Sequence, residues 1–363
     1  MIRKRRVVTI LGTRPEIIKL SPVLPLMDER FDHVIVHSGQ HYSYELDRAF
    51  FEELALRAPD HALSVGSAPH GEQTARILSR FEPILTAEQP DAVLVQGDTN
   101  TTLGGGLCAA KLGIPVVHLE AGGRSFDRLM PEEMNRVVVD HVSSLMLAAD
   151  AIAETHLQRE GLPMDRVAVI GSTAIDAVIQ QRHRLGQSSI LHRLGLRPHD
   201  YVVVTVHRAA NTLPEVLPGI LDALGELAQT RRVVFPLHPR TLAAMRAQGL
   251  ACSPGILVTE PLGYLDTLRL VQQADALLTD SGGLQEESAV LGTPTLIVRF
   301  ETEWRYLTDA GVHKLIGNTR QSMAEGLSTW LRPEALQTIR TTPAPLVSGA
   351  AKRAVDEIEH FLA

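Results

Sequence analysis

Aromatic residues are scarce in this chain, at 4% of 363 positions. That shortage argues against an aromatic-rich β-sandwich and leaves Val, Leu and Ala to build the interior, as α/β layers do. Cysteine is nearly absent: only Cys108 and Cys252 occur, far apart and in no CxxC or metal-ligand spacing. Reduced thiols and a cytoplasmic setting follow as the expectation. No apolar run approaches the length of a membrane span, so no membrane association is expected. The run Val7 to Leu11 behind the basic start Arg3 to Arg6 is too short for a signal peptide. Charge of one sign is also lacking: 35 basic against 42 acidic residues leave −7, which argues against nucleic acid as the main partner. HExxH, a Walker loop and an Asp-x-Asp pair are all missing, and Gly39 interrupts the pair His37 and His41. No visible motif therefore asks for a metal or a cofactor.

What is present is alternation. At 363 residues the chain exceeds the size at which one core stops growing, so two domains are expected. Apolar runs at Val7–Leu11, His33–His37, Ala92–Gln96, Pro115–Leu119 and Val167–Ile170 predict strands in the first half. Tyr201–Val206, Arg232–Leu237, Ile256–Thr259, Ala276–Leu278 and Thr295–Val298 do so in the second. Near-continuous Val, Ile and Leu between helical stretches predicts parallel sheets covered on both faces. The pattern restarts near Gly171, after which a polar helix is expected over Ile175 to Gln187. The expected fold is therefore α/β, with two doubly wound domains over 1–172 and 173–349. A final helix, Ala350 to Leu362, carries Ala354, Ile358 and Phe361 on one face.

Polar residues gather where the strands stop, the place where open parallel sheets bind ligands. The stretch Thr279 to Ser288 follows a buried strand and opens a helix. Gly282 and Gly283 are expected to turn the chain tightly behind Ser281, so that backbone N–H groups and the positive helix end face an anion. Glu287, about a turn into that helix, suits a vicinal diol; diphosphate at the turn and ribose at the Glu is how a nucleotide would sit. A plain strand–turn–helix has the same outline, so this segment does not name a reaction.

Gly12-Thr13-Arg14-Pro15-Glu16 is another strand-to-helix turn, and Arg14 and Lys19 reach either a phosphate or solvent from it. Asp98 and Glu120 follow apolar runs directly. Carboxylates aimed into a cleft move protons, although Asp98 also qualifies as a helix N-cap and Glu120 as a rim charge. Met130 to Arg136 opens a long helix with Val137, Val138, Val142 and Leu145 as its apolar side. Its acidic first turn suits the helix dipole, and Glu132 and Arg136 are spaced for an i,i+4 pair. His207-Arg208 and His238-Pro239-Arg240 end two further strands.

These segments, in this order along nearly the whole chain, resemble the non-hydrolysing UDP-N-acetylglucosamine 2-epimerase family. The resemblance implies a GT-B architecture of two Rossmann-like domains with the active site in the cleft between them, and a C-terminal helix, 350–363, returning to the first domain. It implies reversible inversion at C2 of a UDP-2-acetamido sugar without a cofactor, and homodimers, which are common in the family. The C2–H bond has no adjacent carbonyl, so elimination of UDP to a 2-acetamidoglucal must accompany proton removal, with UDP added back after proton delivery to the other face. Two faces call for several carboxylates. Carried over by motif, these are Asp98, Glu120 and Glu132, with His207 assisting the departing diphosphate. Arg14, Lys19, Ser281, Gly282, Gly283 and Glu287 would bind the UDP-sugar, together with Arg136, Arg208, His238 and Glu303.

The chain departs from the family pattern in places. Gly123 replaces an aliphatic residue, Ala210 an acid, and Trp304-Arg305-Tyr306 an Arg-Pro-Glu step. The Glu303-Trp304 variant resembles a subgroup that includes epimerases of UDP-2,3-diacetamido-glucuronic acid. Gln40-His41 matches part of an allosteric site of some bacterial members, with different neighbours, so activation by substrate is not expected. A hydrolysing epimerase releasing free ManNAc, a GT-B glycosyltransferase and a non-catalytic nucleotide-sugar sensor are the competing readings.

Overall fold

The computed structural model describes residues 4–40 and 44–363, so Arg3 and His41 lie outside the described residues. The chain divides into two compact units, 1–177 with 347–363, and 178–346. Each is built on one parallel sheet.

The first unit holds seven strands: β1 (Arg6–Leu11), β2 (Asp32–His37), β3 (His61–Ala62), β4 (Ala92–Gln96), β5 (Val116–Ala121), β6 (Leu145–Ala148) and β7 (Val167–Val169). Their order is β3-β2-β1-β4-β5-β6-β7, all parallel. The second unit holds β8 (Val202–Thr205), β9 (Val233–Pro236), β10 (Ile256–Thr259), β11 (Ala276–Thr279), β12 (Thr295–Ile297) and β13 (His313–Leu315), ordered β10-β9-β8-β11-β12-β13. Both are doubly wound. In each, strand order reverses once, between β1 and β4 and between β8 and β11. Loops leaving the carboxyl ends on either side of such a switch point part company and leave a crevice.

Branched aliphatics explain the sheets. Val8, Ile10, Val93 and Val95 pack with Ile77 and Phe81 on one face of the first sheet, and Val202, Val204, Phe235 and Leu278 with Ile220 and Leu224 in the second. Strands buried on both faces need this unbroken apolar content.

Three strands escape sequence reading. β3 has two residues and β13 three, too short for a periodicity. β6 begins at Leu145, which was expected on the apolar side of the preceding helix. That helix, Pro131–Val142, stops instead at Ser143, whose backbone is extended and whose hydroxyl donates to the Val139 carbonyl at 2.7 Å. No Gly or Pro marks the stop, and a back-bonding Ser is the whole signal. The expected polar helix over 175–187 is a helix, Thr173–Gln181, followed by a 3₁₀ segment, Arg182–Gln187.

The last helix, Ala350–Phe361, lies in the first unit. Ala354 and Ile358 are fully buried, while Phe361 sits at the rim, 36% exposed. Asp176 accepts the Gly349 and Ala351 N–H groups at 2.7 Å, and Arg30 pairs with Asp356 and Glu359.

Candidate active site

In the first unit two of the three candidate carboxylates, Asp98 and Glu120, stand at the ends of neighbouring strands β4 and β5. Glu120 has φ +74°, a left-handed conformation that a glutamate adopts only under constraint. The β5–β6 register shifts there, between Leu119 and Ala121. Such a bulge re-aims a side chain at a sheet end. Both Glu120 oxygens accept from Lys19 Nζ, at 2.6 and 2.7 Å, and Oε2 also takes the Gln96 amide. Lys19, expected at the nucleotide, is thus placed on a carboxylate.

Asp98 is not the helix cap that its sequence context also allowed. Thr99 caps Asn100–Lys111 in a reciprocal capping box with Thr102, which leaves the Asp98 carboxylate for other work. Arg136 grips Asp98 Oδ2 through Nε at 2.9 Å and Nη2 at 2.5 Å, and Asn135 donates to the Asp98 carbonyl at 2.8 Å. The expected Glu132–Arg136 pair does not form. Arg136 bonds Glu133 at 2.9 Å instead, one residue closer, because Glu133 shares its buried face. Burial pushes the Glu133 carboxyl up, but N–H groups of Ser125 and Phe126 and the Arg136 guanidinium outweigh it and leave it below the usual range. Glu132 stays exposed on the first helical turn. Arg14 lies over the Phe50 ring, 4.6 Å from its centroid.

Glu16 ties two strand ends together. Its buried carboxylate accepts from Gly12 N at 3.0 Å, Thr13 Oγ1 at 2.8 Å and Thr99 Oγ1 at 2.9 Å, and burial pushes its pKa up against those bonds.

The second unit is organised by one fully buried carboxylate, Asp280. It accepts from the backbone of His207 at 2.9 and 3.0 Å, from Arg208 N at 2.8 Å and from Asn211 Nδ2 at 3.0 Å. The turn after β8 is therefore folded around the end of β11. His207 stacks on His238, ring centroids 4.8 Å apart. His238 accepts the Arg240 N–H at Nδ1, so it is the neutral imidazole that caps Pro239–Gln248. Burial, then His207 and Arg240, push its pKa down to about 4. His207 is also lowered: burial dominates, Asp280 pulls the other way, and Arg208 and Arg240 push down.

Ser281 caps the helix Gly282–Leu291, accepting Leu284 N at 3.5 Å. The two glycines do not make the turn. Neither has positive φ; both are the first residues of the helix. A Cβ at Gly282 would stand 3.1 Å from Arg208 Nη2 and 3.5 Å from Trp304 Nε1, so the missing side chain leaves these two groups close to the helix start. Glu287 is buried within that helix. Glu303 pairs with Arg299 at 2.7 and 3.1 Å and lies 3.7 Å from Arg208 Nη2. Burial raises Glu303, and the Arg299 bonds more than reverse it.

The arrangement thus offers paired carboxylates and cations in one unit, and in the other a helix start beside His207 and Arg208. Sequence reading missed Gln96, Asn135, Asn211 and Asp280 as site builders. Their signal was position: each is a polar residue at or just beyond the end of a buried run, or inside a motif whose neighbour drew the attention. Among the described residues, no group of three or more His, Cys, Asp or Glu is placed to hold a metal ion, and no helix is long and apolar enough to cross a membrane.

A family profile described as UDP-N-acetylglucosamine 2-epimerase matches residues 26–359. The chain belongs to that family. It is 40% identical over 333 residues to UDP-N-acetylglucosamine 2-epimerase of Methanocaldococcus jannaschii, covering 89% of this chain and 91% of the relative. It is 37% identical over 331 residues to UDP-2,3-diacetamido-2,3-dideoxy-D-glucuronate 2-epimerase of Pseudomonas aeruginosa, covering 90% and 92%. The crystal structure of the M. jannaschii enzyme in complex with UDP-GlcNAc and UDP superposes with a TM-score of 0.89 at 38% identity, over 98% of this chain and 99% of that one. A glycosyltransferase from Streptomyces nogalater, at 16% identity and a TM-score of 0.58, shares the fold alone. Within the epimerase family, the two sheets described above are the GT-B-like pair.

Proposed function

We propose that this chain catalyses reversible C2 epimerisation of a UDP-2-acetamido sugar, by elimination of UDP to a 2-acetamidoglucal and re-addition. The observation that carries it is Glu120: a glutamate forced into left-handed backbone at a strand bulge, next to the turn that presents Asp98, in a chain of the epimerase family. Removing and returning a C2 proton on opposite faces requires more than one carboxylate, and Asp98, Glu120 and Glu132 are the three assigned. Lys19 and Arg136 hold the first two oriented. In this reading the stretch 1–172 with 350–363 serves the hexose, and 173–349 holds UDP. The helix start at Gly282 faces the diphosphate, His207 and His238 donate neutral N–H groups to it, and Glu287 takes the ribose.

The physiological sugar is UDP-GlcNAc or an analogue such as UDP-2,3-diacetamido-glucuronic acid, the substrates named for the two relatives above. The free thiols of Cys108 and Cys252 suit a cytoplasmic setting, and sedimentation of the purified chain tests the homodimer that the family resemblance implies.

Incubation with each sugar in D₂O is the decisive experiment. Deuterium at C2 with the sugar still on UDP is the expected outcome. Accumulating free sugar would instead indicate hydrolysis, and no turnover of either sugar a sensor.

A further inference from the structure

One polar cluster behind the carboxylates has no part in the chemistry proposed so far. His118 lies in the middle of β5, in a run of valine and leucine, with a fully buried side chain. Both of its ring nitrogens face acceptors: Nδ1 stands 2.6 Å from Asp140 Oδ1, and Nε2 2.8 Å from the Gly97 carbonyl. A carbonyl only accepts. Asp140 is an ionised carboxylate, because its other oxygen takes the Arg124 guanidinium at 2.7 Å and the Gly122 N–H at 3.1 Å. Two acceptors demand two N–H donors, so the ring is an imidazolium. Burial works against that charge, while Asp140, the Gly97 carbonyl and Glu120 favour it and keep the ring titrating above its usual value. Asp140 is correspondingly lowered: burial opposes its charge, and His118 and then Arg124 overcome it.

A buried ion pair is a costly way to fill a strand position that an aliphatic residue would fill well. What it gains is position. Gly97 immediately precedes Asp98, and Gly122 follows Glu120 by two residues. Gly122 itself has φ +79°, and a Cβ there would fall 2.4 Å from the Ala153 carbonyl oxygen. Asp140 belongs to the same helix, Pro131–Val142, that sends Asn135 and Arg136 to residue 98. Arg124 is in turn held by Glu160 at 2.8 Å.

We propose that His118 is a positioning residue, whose doubly donating ring joins the Gly97 carbonyl to Asp140 and so holds the backbone carrying Asp98 at a set distance from the bulge carrying Glu120. The inference rests on the epimerase reading above. Through that link, the two carboxylates are held for opposite faces of one hexose without His118 touching the sugar. Losing the ring should loosen geometry at the reacting carbon, where a misplacement of about 1 Å costs roughly 10²-fold.

The test compares the full-length wild type with His118→Gln and Asp140→Asn, following C2 deuterium exchange, kcat and KM for the UDP-sugar, UDP affinity by calorimetry, and Tm. His118→Gln keeps one donor nitrogen and puts an acceptor oxygen in place of the other, so it cannot donate in both directions; kcat should fall roughly 10²-fold with KM and UDP affinity little changed. Asp140→Asn removes the countercharge, so burial drives the proton off His118. Its kcat should be low at neutral pH and recover on acidification below the usual imidazole range, a recovery that the wild type does not show. A His118→Gln enzyme that loses Tm but keeps wild-type kcat per folded molecule would show a merely structural role and overturn the proposal. Should His118→Gln fail to fold, a flat pH profile for Asp140→Asn overturns it equally. A wild type that exchanges no deuterium with either sugar sinks the epimerase reading itself, a result distinct from both.

Discussion

Each half of the molecule is centred on a fully buried aspartate, and the two are used in opposite ways. Asp140 in the first unit is met by cations, His118 and Arg124. Asp280 in the second is met by neutral donors, the N–H groups of residues 207 and 208 and the Asn211 amide. In the first unit the side chains nearer the surface continue the pattern of charge pairs, Lys19 with Glu120 and Arg136 with Asp98. In the second, His207, His238 and Arg208 gather near the start of Gly282–Leu291, and an acid beside them, Glu303, is engaged by Arg299. Charge pairs hold carboxylates aimed, which is what proton transfer needs. Donors around a helix start, with Asp280 turned inward, are what an anion needs. The division of labour is chemical before it is topological, because the two sheets share one strand order.

That contrast can be broken most directly at Glu120. Replacing Glu120 with Gln keeps the shape and removes the proton acceptor, so kcat should fall roughly 10²–10⁴-fold while UDP affinity holds. A change confined to KM would place Glu120 in binding and erase the distinction. Asp280→Leu should act on the other half. It strands three donors, one buried and two half-buried, at up to about 1–3 kcal/mol each, so Tm should drop and UDP binding with it. Calorimetry of the variant with and without UDP checks this, and intact UDP affinity would show that the His207–Arg208 turn does not need its carboxylate. Glu287→Gln is milder: loss of a charge-assisted bond to ribose should raise KM about tenfold and leave kcat little changed. Loss of kcat alone would contradict the ribose role.

The smallest effect concerns His238. Its ordinary pKa of 6.5 falls to about 4 on folding. Between those values the unfolded chain holds a proton that the folded chain does not, so stability is present above pH 6.5 and is lost as pH falls toward 4. The residue is exposed, so solvent damps the effect. Chemical denaturation at several pH values should show a shallow slope that His238→Gln flattens.

Much of this was legible in the residues. Ala92–Gln96 and Ile256–Thr259 were read to the residue, the first because a strand buried on both faces admits little except branched aliphatics, the second, an edge strand, from its run of branched aliphatics alone. The clustering of polar residues after those strands pointed to the ligand ends of two sheets, and the ordered motifs named the family. Less legible was who partners whom. Arg136 sits four residues from Glu132, yet it bonds Glu133 and Asp98, since its choice depends on which face of the helix is turned inward. Gly282 and Gly283 read as a tight turn and proved to be the open first turn of a helix, since a glycine's sequence signal does not distinguish positive φ from an absent side chain. His118 looked like one more residue of an apolar strand.

From its order of residues alone, this protein was committed to two parallel α/β halves with polar strand ends and to its family, because periodicity and local turn chemistry act over a few residues. Only the tertiary structure decided the ion pairs, Lys19 with Glu120 across 101 positions and His118 with Asp140 and Gly97, because these depend on which strands become neighbours. Charge is written in the sequence; its partner, and hence its protonation and its use, is settled in space.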